Sequence, residues 1–174
     1  MGAMRIVQVS AHFPPDFVSG GTLVPHRVAR AVAEAGHESH VYAGHLATDN
    51  APLTTWTDTP DDLAGTEVRW VTSYPWTAWD DPRNYDNPDV TADARAYFAE
   101  LRPDVVHIHS LQTLGVGVLT AAKESGARVV VTMHDWWWVC ARQFLADRDL
   151  RPCSLVVSCG TCACQVDAGW LRDS

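Results

Sequence analysis

The pair His134-Asp135 joins an imidazole to a carboxylate, and it directly follows the apolar segment 128–133. Imidazole titrates near neutral pH, and an adjacent carboxylate can orient neighbouring hydrogen-bond donors. We therefore take His134 and Asp135 as the candidate catalytic residues, able to bind hydroxyl groups or to stabilise charge that develops in a transition state. His109 closes a second apolar segment, 104–109, and is a candidate binding residue at the same edge.

His107 and His109 alternate along one predicted strand, so their side chains are expected on one face, with Ile108 on the other. His107 lies deeper in the segment and is interpreted as a packed or hydrogen-bonded core residue. His109 lies at the strand end and is expected to line a cleft. The alternative is that it is an ordinary solvated residue at the end of a strand.

Gly20-Gly21 precedes a predicted helix and is the candidate backbone contact for a ligand. Glycine lets a ligand approach the main chain, and the N-terminus of a helix favours an anion such as phosphate. The alternative is that the two glycines only turn the chain. The dinucleotide-binding pattern Gly-x-Gly-x-x-Gly does not follow the first strand, which disfavours a nucleotide-dependent oxidoreductase.

Three consecutive tryptophans, Trp136-Trp137-Trp138, follow the His-Asp pair. Three adjacent indoles cannot all enter one face of a core, so at least one is expected to line a cleft or to meet another domain. Trp136 is the candidate substrate-contacting indole, and packing between domains explains the run equally well.

All five cysteines lie after position 139: Cys140, Cys153, Cys159, Cys162 and Cys164. The spacing Cys159-x-x-Cys162 can place two thiolates on one ion, and Cys140 and Cys153 complete a tetrahedral set. The predicted ion is a structural zinc, with an iron–sulfur cluster as a lesser option and free thiols as the third. No cofactor is predicted for catalysis.

These residues require a scaffold, and the sequence repeats the order apolar strand, turn, helix. That order is typical of strand–helix–strand units around a parallel sheet with helices on both faces. The sequence thus predicts an α/β fold with a doubly wound parallel sheet. Strands are predicted over 5–10, 40–43, 67–71, 104–109 and 128–133, helices over 22–35, 90–101 and 113–125, and long loops over 44–65 and 73–87.

We divide the chain into three parts. Residues 1–3, which precede Met4, resemble a remnant of a removed affinity tag. Residues 4–139 are predicted to form the α/β domain, and residues 140–174 a cysteine-rich extension. The chain is expected to stop before a further, ligand-binding domain.

Composition excludes several classes of protein. The 174 residues carry 13 Lys and Arg against 21 Asp and Glu, for a formal net charge of −8, with pI near 5.3. An acidic chain has no basic face with which to neutralise phosphates, so a nucleic-acid partner is not expected. No apolar run approaches the ~20 residues that span a bilayer, and a signal peptide is not expected from the residues at the start of this sequence. We expect a cytoplasmic protein, with peripheral attachment to a membrane as an alternative.

The segments RIVQVSAHFPPDFVSGG, PDVVHIHS and VVVTMHDWWWVC, in this order, resemble the N-terminal domain of GT-B-fold retaining glycosyltransferases of the glycosyl transferases group 1 class. The resemblance spans roughly positions 4–145 and implies a Rossmann-like domain. It also implies transfer of a sugar from a nucleotide-sugar donor to a carbohydrate, lipid-linked or small-molecule acceptor, with retained configuration and without a catalytic metal.

The resemblance carries roles onto matching positions only. Gly20 and Gly21 correspond to the loop that approaches the donor's phosphates, and His109 and His134 to histidines of the cleft. The family's donor-binding domain, with its glutamate-bearing motif, has no counterpart here, so the isolated chain is expected to be inactive. The alternative function is a non-catalytic acceptor-binding or regulatory subunit that pairs with a separate donor-binding polypeptide.

Overall fold

The computed structural model describes residues 2–46, 53–63, 65–73, 85–140, 145–146 and 151–153. Within them, six strands form one sheet and three α-helices flank it, with a short 3₁₀ helix, Asp61–Leu63. The strands are β1 (Arg5–Ser10), β2 (Glu38–Leu46), β3 (Thr55–Asp58), β4 (Thr66–Ser73), β5 (Val105–Ile108) and β6 (Arg128–Val131). The helices are α1 (Gly20–Glu34), α2 (Pro88–Leu101) and α3 (Gly117–Glu124).

The strand order is β3-β4-β2-β1-β5-β6, and every neighbouring pair is parallel except β3 with β4. From β1 the chain proceeds through β2 to β4 on one side, then crosses to β5 and β6 on the other. The strand order therefore reverses at β1 and β5, and such a reversal opens a crevice at the carboxyl ends of the strands. The predicted α/β fold with a doubly wound sheet is confirmed, and the sheet is parallel as predicted except for β3.

Helices cover both faces of the sheet. On one face, α2 and α3 bury an apolar cluster against β1 and β5, which includes Val7, Val9, Phe98, Val106, Ile108, Val118 and Ala122. On the other face, α1 packs beside a second cluster over β2 and β4, formed by Phe13, Ala29, Val41, Ala43, Leu63, Val68 and Trp70. Burial on both faces explains why the central strands are apolar along most of their length.

Strand β3 was missed at the sequence level, because it lies inside the predicted loop 44–65. It pairs antiparallel with β4 at the edge of the sheet, with Trp56 opposite Trp70. Three of its four residues are exposed, so the strand has no run of buried apolar side chains to mark it. Pairing with β4, rather than an apolar pattern, makes this segment a strand.

Two helices begin at other residues than predicted. Ser19 caps α1: its Oγ accepts the N–H of Thr22 at 3.2 Å, and the Thr22 hydroxyl accepts the N–H of Ser19 at 2.8 Å. The predicted start at residue 22 was therefore two residues late. Helix α3 begins at Gly117 instead of residue 113, because Thr113 and Gly115 have φ of 69° and 88°, which a right-handed helix does not admit.

Replacing Gly44 with alanine is expected to destabilise the domain by about 1–3 kcal/mol, because overpacking against backbone forces the strands apart. A Cβ at Gly44 would overlap the carbonyl oxygen of Ala11 and lie 3.1 Å from its carbonyl carbon. Urea unfolding of the variant measures the loss. Gly20→Ala is the matched control, since a Cβ at Gly20 would meet nothing within 4 Å. Equal midpoints for the two variants would contradict the expectation.

Candidate functional site

A cavity of about 220 Å³ opens at the carboxyl edge of the sheet, at the reversal between β1 and β5. The loops after β1, β5 and β6 and the first turn of α1 surround it. Its lining residues are Ser10, His12, Phe17, Ser19, Gly21, Thr22, Ser110, Gln112, His134 and Asp135. The structure thus brings together the strand ends from which the sequence predicted a site.

The first turn of α1 forms one wall of the cavity. Gly21 lines the cavity directly, whereas Gly20 does not. Neither glycine has a positive φ, and a Cβ at Gly21 would meet only the Ser19 Oγ, at 3.8 Å. Glycine is therefore not required here by the backbone conformation or by packing. The missing side chain at Gly21 instead leaves the main chain open toward the cavity.

Three side chains, one from β1 and two from the segments that follow β5 and β6, form a hydrogen-bonded chain that reaches the opposite wall. The Nδ1 of His109 lies 3.0 Å from the Nε2 of His134, and the Nε2 of His109 lies 2.9 Å from the Oε1 of Gln8. The His109 and His134 rings are nearly parallel, with centroids 5.3 Å apart. Gln8 and His109 are buried, at 0 % and 1 % exposed, and His134 is the member that reaches the cavity.

His109 was expected to line the cleft, but it lies behind His134 and is almost fully buried. The relative depth of the two strand histidines was also wrong, since His107 is only partly buried. Their rings do share one face, with centroids 4.0 Å apart, and the His107 Nε2 pairs with the Thr132 hydroxyl at 2.8 Å. His109 follows the last residue of β5, and its ring lies between Gln8 of β1 and His134, which follows β6.

Burial determines the charge of the histidines near the cavity. Burial, together with the neighbouring His107 and His134, lowers the pKa of His109 to about 3. Burial and His134 also lower the pKa of His107, and burial alone lowers the pKa of His12 to about 4. All three imidazoles are therefore neutral at physiological pH, when each ring carries a proton on only one nitrogen.

Asp135 lines the cavity and also holds the local turn, since its Oδ1 accepts the N–H of Trp137 at 2.8 Å. Trp136 is 50 % exposed and does not line the cavity, so its role as a substrate contact stays a prediction. Trp137 is buried and stacks on Tyr85, with ring centroids 5.6 Å apart. The turn held by Asp135 thus directs the consecutive indoles to different surroundings.

Several cavity residues were not identified from the sequence. His12 is the second residue after β1, a position similar to that of His109 after β5, and it packs against Phe17 with ring centroids 5.4 Å apart. The other missed residues are Ser10, Phe17, Ser19, Thr22, Ser110 and Gln112. Serine, threonine and glutamine are common in loops and caps, so their types alone did not indicate a site.

Two of the four cysteines of the predicted zinc site lie outside the described residues. Cys140 and Cys153 are partly buried free thiols, whereas Cys159 and Cys162 belong to the part of the chain that is not described. Across the described ranges, no group of three or more His, Cys, Asp or Glu side chains is arranged to hold a metal ion. The structural zinc and the cysteine-rich extension 140–174 stay predictions.

Of the helices in the described residues, none has the length and apolar character needed to cross a membrane.

The family model for Glycosyltransferase Family 4 matches residues 18–159. The catalytic domain of starch synthase IV from Arabidopsis thaliana, bound to ADP and acarbose, is similar over 78 % of this chain and 35 % of its own, with 17 % identity and a TM-score of 0.45. An α,α-trehalose-phosphate synthase (UDP-forming) from Burkholderia xenovorans, in complex with glucose-6-phosphate, is similar over 75 % of this chain and 33 % of its own, with 14 % identity and a TM-score of 0.43. The chain thus spans about one third of the length of these solved chains. No curated protein matches it.

Proposed function

Because the chain belongs to Glycosyltransferase Family 4, we propose that it supplies the acceptor side of the cleft of a retaining glycosyltransferase that uses a nucleotide-sugar donor. The observation that carries this proposal is the cavity itself, where the N-terminus of α1 faces His134 and Asp135. An anion-binding helix end and an imidazole–carboxylate pair, side by side, suit a sugar that carries a phosphate leaving group.

The N-terminus of α1 is the proposed contact for the donor's phosphate. The first N–H groups of a helix have no partner within it, and the helix dipole adds partial positive charge there. The side chain of Ser19 already accepts the Thr22 N–H, which leaves the glycine N–H groups available for a ligand. Without a Cβ at Gly21, a phosphate can approach the main chain closely.

His134 and Asp135 are the proposed contacts for the transferred sugar and its acceptor. The bond between the anomeric carbon and the phosphate oxygen breaks, and the nucleoside diphosphate leaves with the electron pair. The acceptor hydroxyl oxygen forms the new bond to the anomeric carbon, and its proton passes to the leaving phosphate oxygen. The sugar passes through an oxocarbenium-like state, so polar groups that hold its hydroxyls and meet the leaving charge lower the barrier. In this proposal, a second domain supplies the residues that bind the nucleotide-sugar donor.

Sugar transfer by the full-length gene product tests the proposal. The assay incubates it with a panel of nucleotide-sugars and measures release of the nucleoside diphosphate with and without candidate acceptors. Release with at least one nucleotide-sugar is expected. Absence of release from every donor would overturn the catalytic proposal, and acceptor binding without release would favour the non-catalytic subunit.

Gly21→Ala is expected to weaken nucleotide-sugar binding by about tenfold, the equivalent of about 1.4 kcal/mol, while leaving the free energy of unfolding unchanged. The added methyl group meets only the Ser19 Oγ within the protein, at 3.8 Å, but stands between the main chain and a bound phosphate. Titration of the full-length gene product with the accepted nucleotide-sugar measures the change. Ala31→Val, which adds bulk at an exposed position of α1 outside the cavity, is the control. Unchanged affinity in Gly21→Ala would contradict the proposed phosphate contact.

A further inference from the structure

The chain of hydrogen bonds from Gln8 through His109 to His134 crosses three strand positions that are distant in the sequence. Gln8 lies in the middle of β1, opposite His107 of β5 in the sheet register. His109 follows β5 and His134 follows β6, and only His134 reaches the cavity. The proposed function uses His134 alone, so the two buried residues behind it have no assigned role.

Matching donors to acceptors along the hydrogen bonds from Gln8 to His134 determines which ring nitrogen carries each proton. A neutral imidazole has one N–H and one lone pair. The Oε1 of Gln8 can only accept, so the His109 Nε2, 2.9 Å away, carries the N–H. The His109 Nδ1 then has a lone pair, and the His134 Nε2, 3.0 Å from it, must donate. The His134 Nδ1 is the one ring nitrogen left to meet a ligand.

We propose that Gln8 and His109 are positioning residues that hold a proton on the Nε2 of His134 and so present its Nδ1 to the cavity as a hydrogen-bond acceptor. The ligand group that such an atom recognises is a hydroxyl, which donates its hydrogen to Nδ1. The identification of that hydroxyl as one of a sugar substrate rests on the proposed function. The proton arrangement itself does not depend on that identification.

The surroundings support this arrangement. Gln8 and His109 are cut off from water, so two facing lone pairs between them would go without compensation, while the Gln8 Nε2 has no hydrogen-bond partner among the described residues. The titratable groups that face His109 are His107 on β5 and His134 after β6, and both disfavour a second proton on its ring. His107 in turn bonds Thr132. A charged His109 would donate from both nitrogens and make His134 Nε2 an acceptor, which reverses the arrangement.

Nitrogen-15 NMR of the labelled 174-residue chain tests the proton positions directly. At pH 8, long-range ¹H–¹⁵N spectra are expected to show the proton on Nε2 of both His109 and His134, and none on either Nδ1. A proton on the His109 Nδ1 would overturn the proposal. That result corresponds to a rotated Gln8 amide, which donates from its nitrogen and reverses every bond in the chain.

Two substitutions of Gln8 distinguish positioning from simple packing. Gln8→Met fills the same space without an acceptor, so the His109 proton is expected to move to Nδ1 and the His134 proton to follow. Gln8→Glu keeps an acceptor, so both protons are expected to stay on Nε2, while the added carboxylate raises the pKa of His109. Thr66→Val, at a fully buried strand position outside the hydrogen-bonded group of Gln8, His109 and His134, is the control. Identical proton positions in Gln8→Met and Gln8→Glu would overturn the proposal.

The same variants separate this inference from the proposed function. In the full-length gene product, Gln8→Met is expected to lower kcat/KM about tenfold, the effect of about one hydrogen bond to the substrate, and Gln8→Glu to restore part of that loss. If the NMR arrangement is found but no donor supports transfer, the positioning role stands and the sugar assignment falls. A wild-type kcat/KM in Gln8→Met, measured together with an NMR spectrum that shows the His134 proton on Nδ1, would overturn the link to the substrate.

Discussion

Replacing His134 with alanine is expected to lower kcat/KM for sugar transfer by about 10³-fold in the full-length gene product. Removing one positioned proton-transfer or charge-stabilising group typically costs ~10²–10⁴-fold. His134 is the single member of the hydrogen-bonded chain that lines the cavity, at the wall facing the N-terminus of α1. Steady-state kinetics with the accepted donor and acceptor measure the loss.

His37→Ala is the matched control for this substitution. His37 lies just before β2, at the opposite edge of the sheet, where its Nδ1 accepts the N–H of Met4 at 3.2 Å. The His37→Ala substitution should therefore leave kcat/KM near the wild-type value. Near-wild-type rates in His134→Ala, or an equal loss in His37→Ala, would contradict the role given to His134.

Replacing Asp93 with alanine is expected to destabilise the domain by about 3 kcal/mol, at the lower end of the range for breaking a buried ion pair. Both oxygens of Asp93 pair with the Arg69 guanidinium, and one of them also accepts the Tyr42 hydroxyl at 2.9 Å. The Arg69 and Asp93 side chains are only 24 % and 13 % exposed. This cluster joins β2 and β4 to α2, and the substitution leaves a partly buried cation without its partner.

An exposed ion pair supplies the comparison. Arg95 and Glu124 join α2 to α3 at 2.7 Å, with side chains that are 51 % and 50 % exposed. Solvent screens such a pair, so Glu124→Ala is expected to destabilise the domain far less than Asp93→Ala. Urea unfolding of both variants measures the difference. Equal losses of stability would mean that burial does not separate the two pairs.

The parts of the fold that the sequence predicted are those encoded locally. The apolar residues of segment 5–10 and the helix-spaced apolar residues of 90–101 predict buried elements, even when the elements they pack against are not known. The meeting of His134 and Gly21 at one edge also followed from the sequence, because parallel strands end on the same side of a sheet. By contrast, β3 was missed, because its strand character comes from pairing with β4.

Residue types and their spacing were enough to predict the α/β class, a cavity at the carboxyl edge of the sheet and the presence of His134, Asp135 and Gly21 in its lining. They did not indicate that His109 lies behind His134, or that Gln8, 101 residues earlier, is its partner. Residue type and spacing indicate only which face of a strand a side chain takes. Which side chains then come within 3 Å of one another depends on strand order and register, and these arise from packing of the whole sheet.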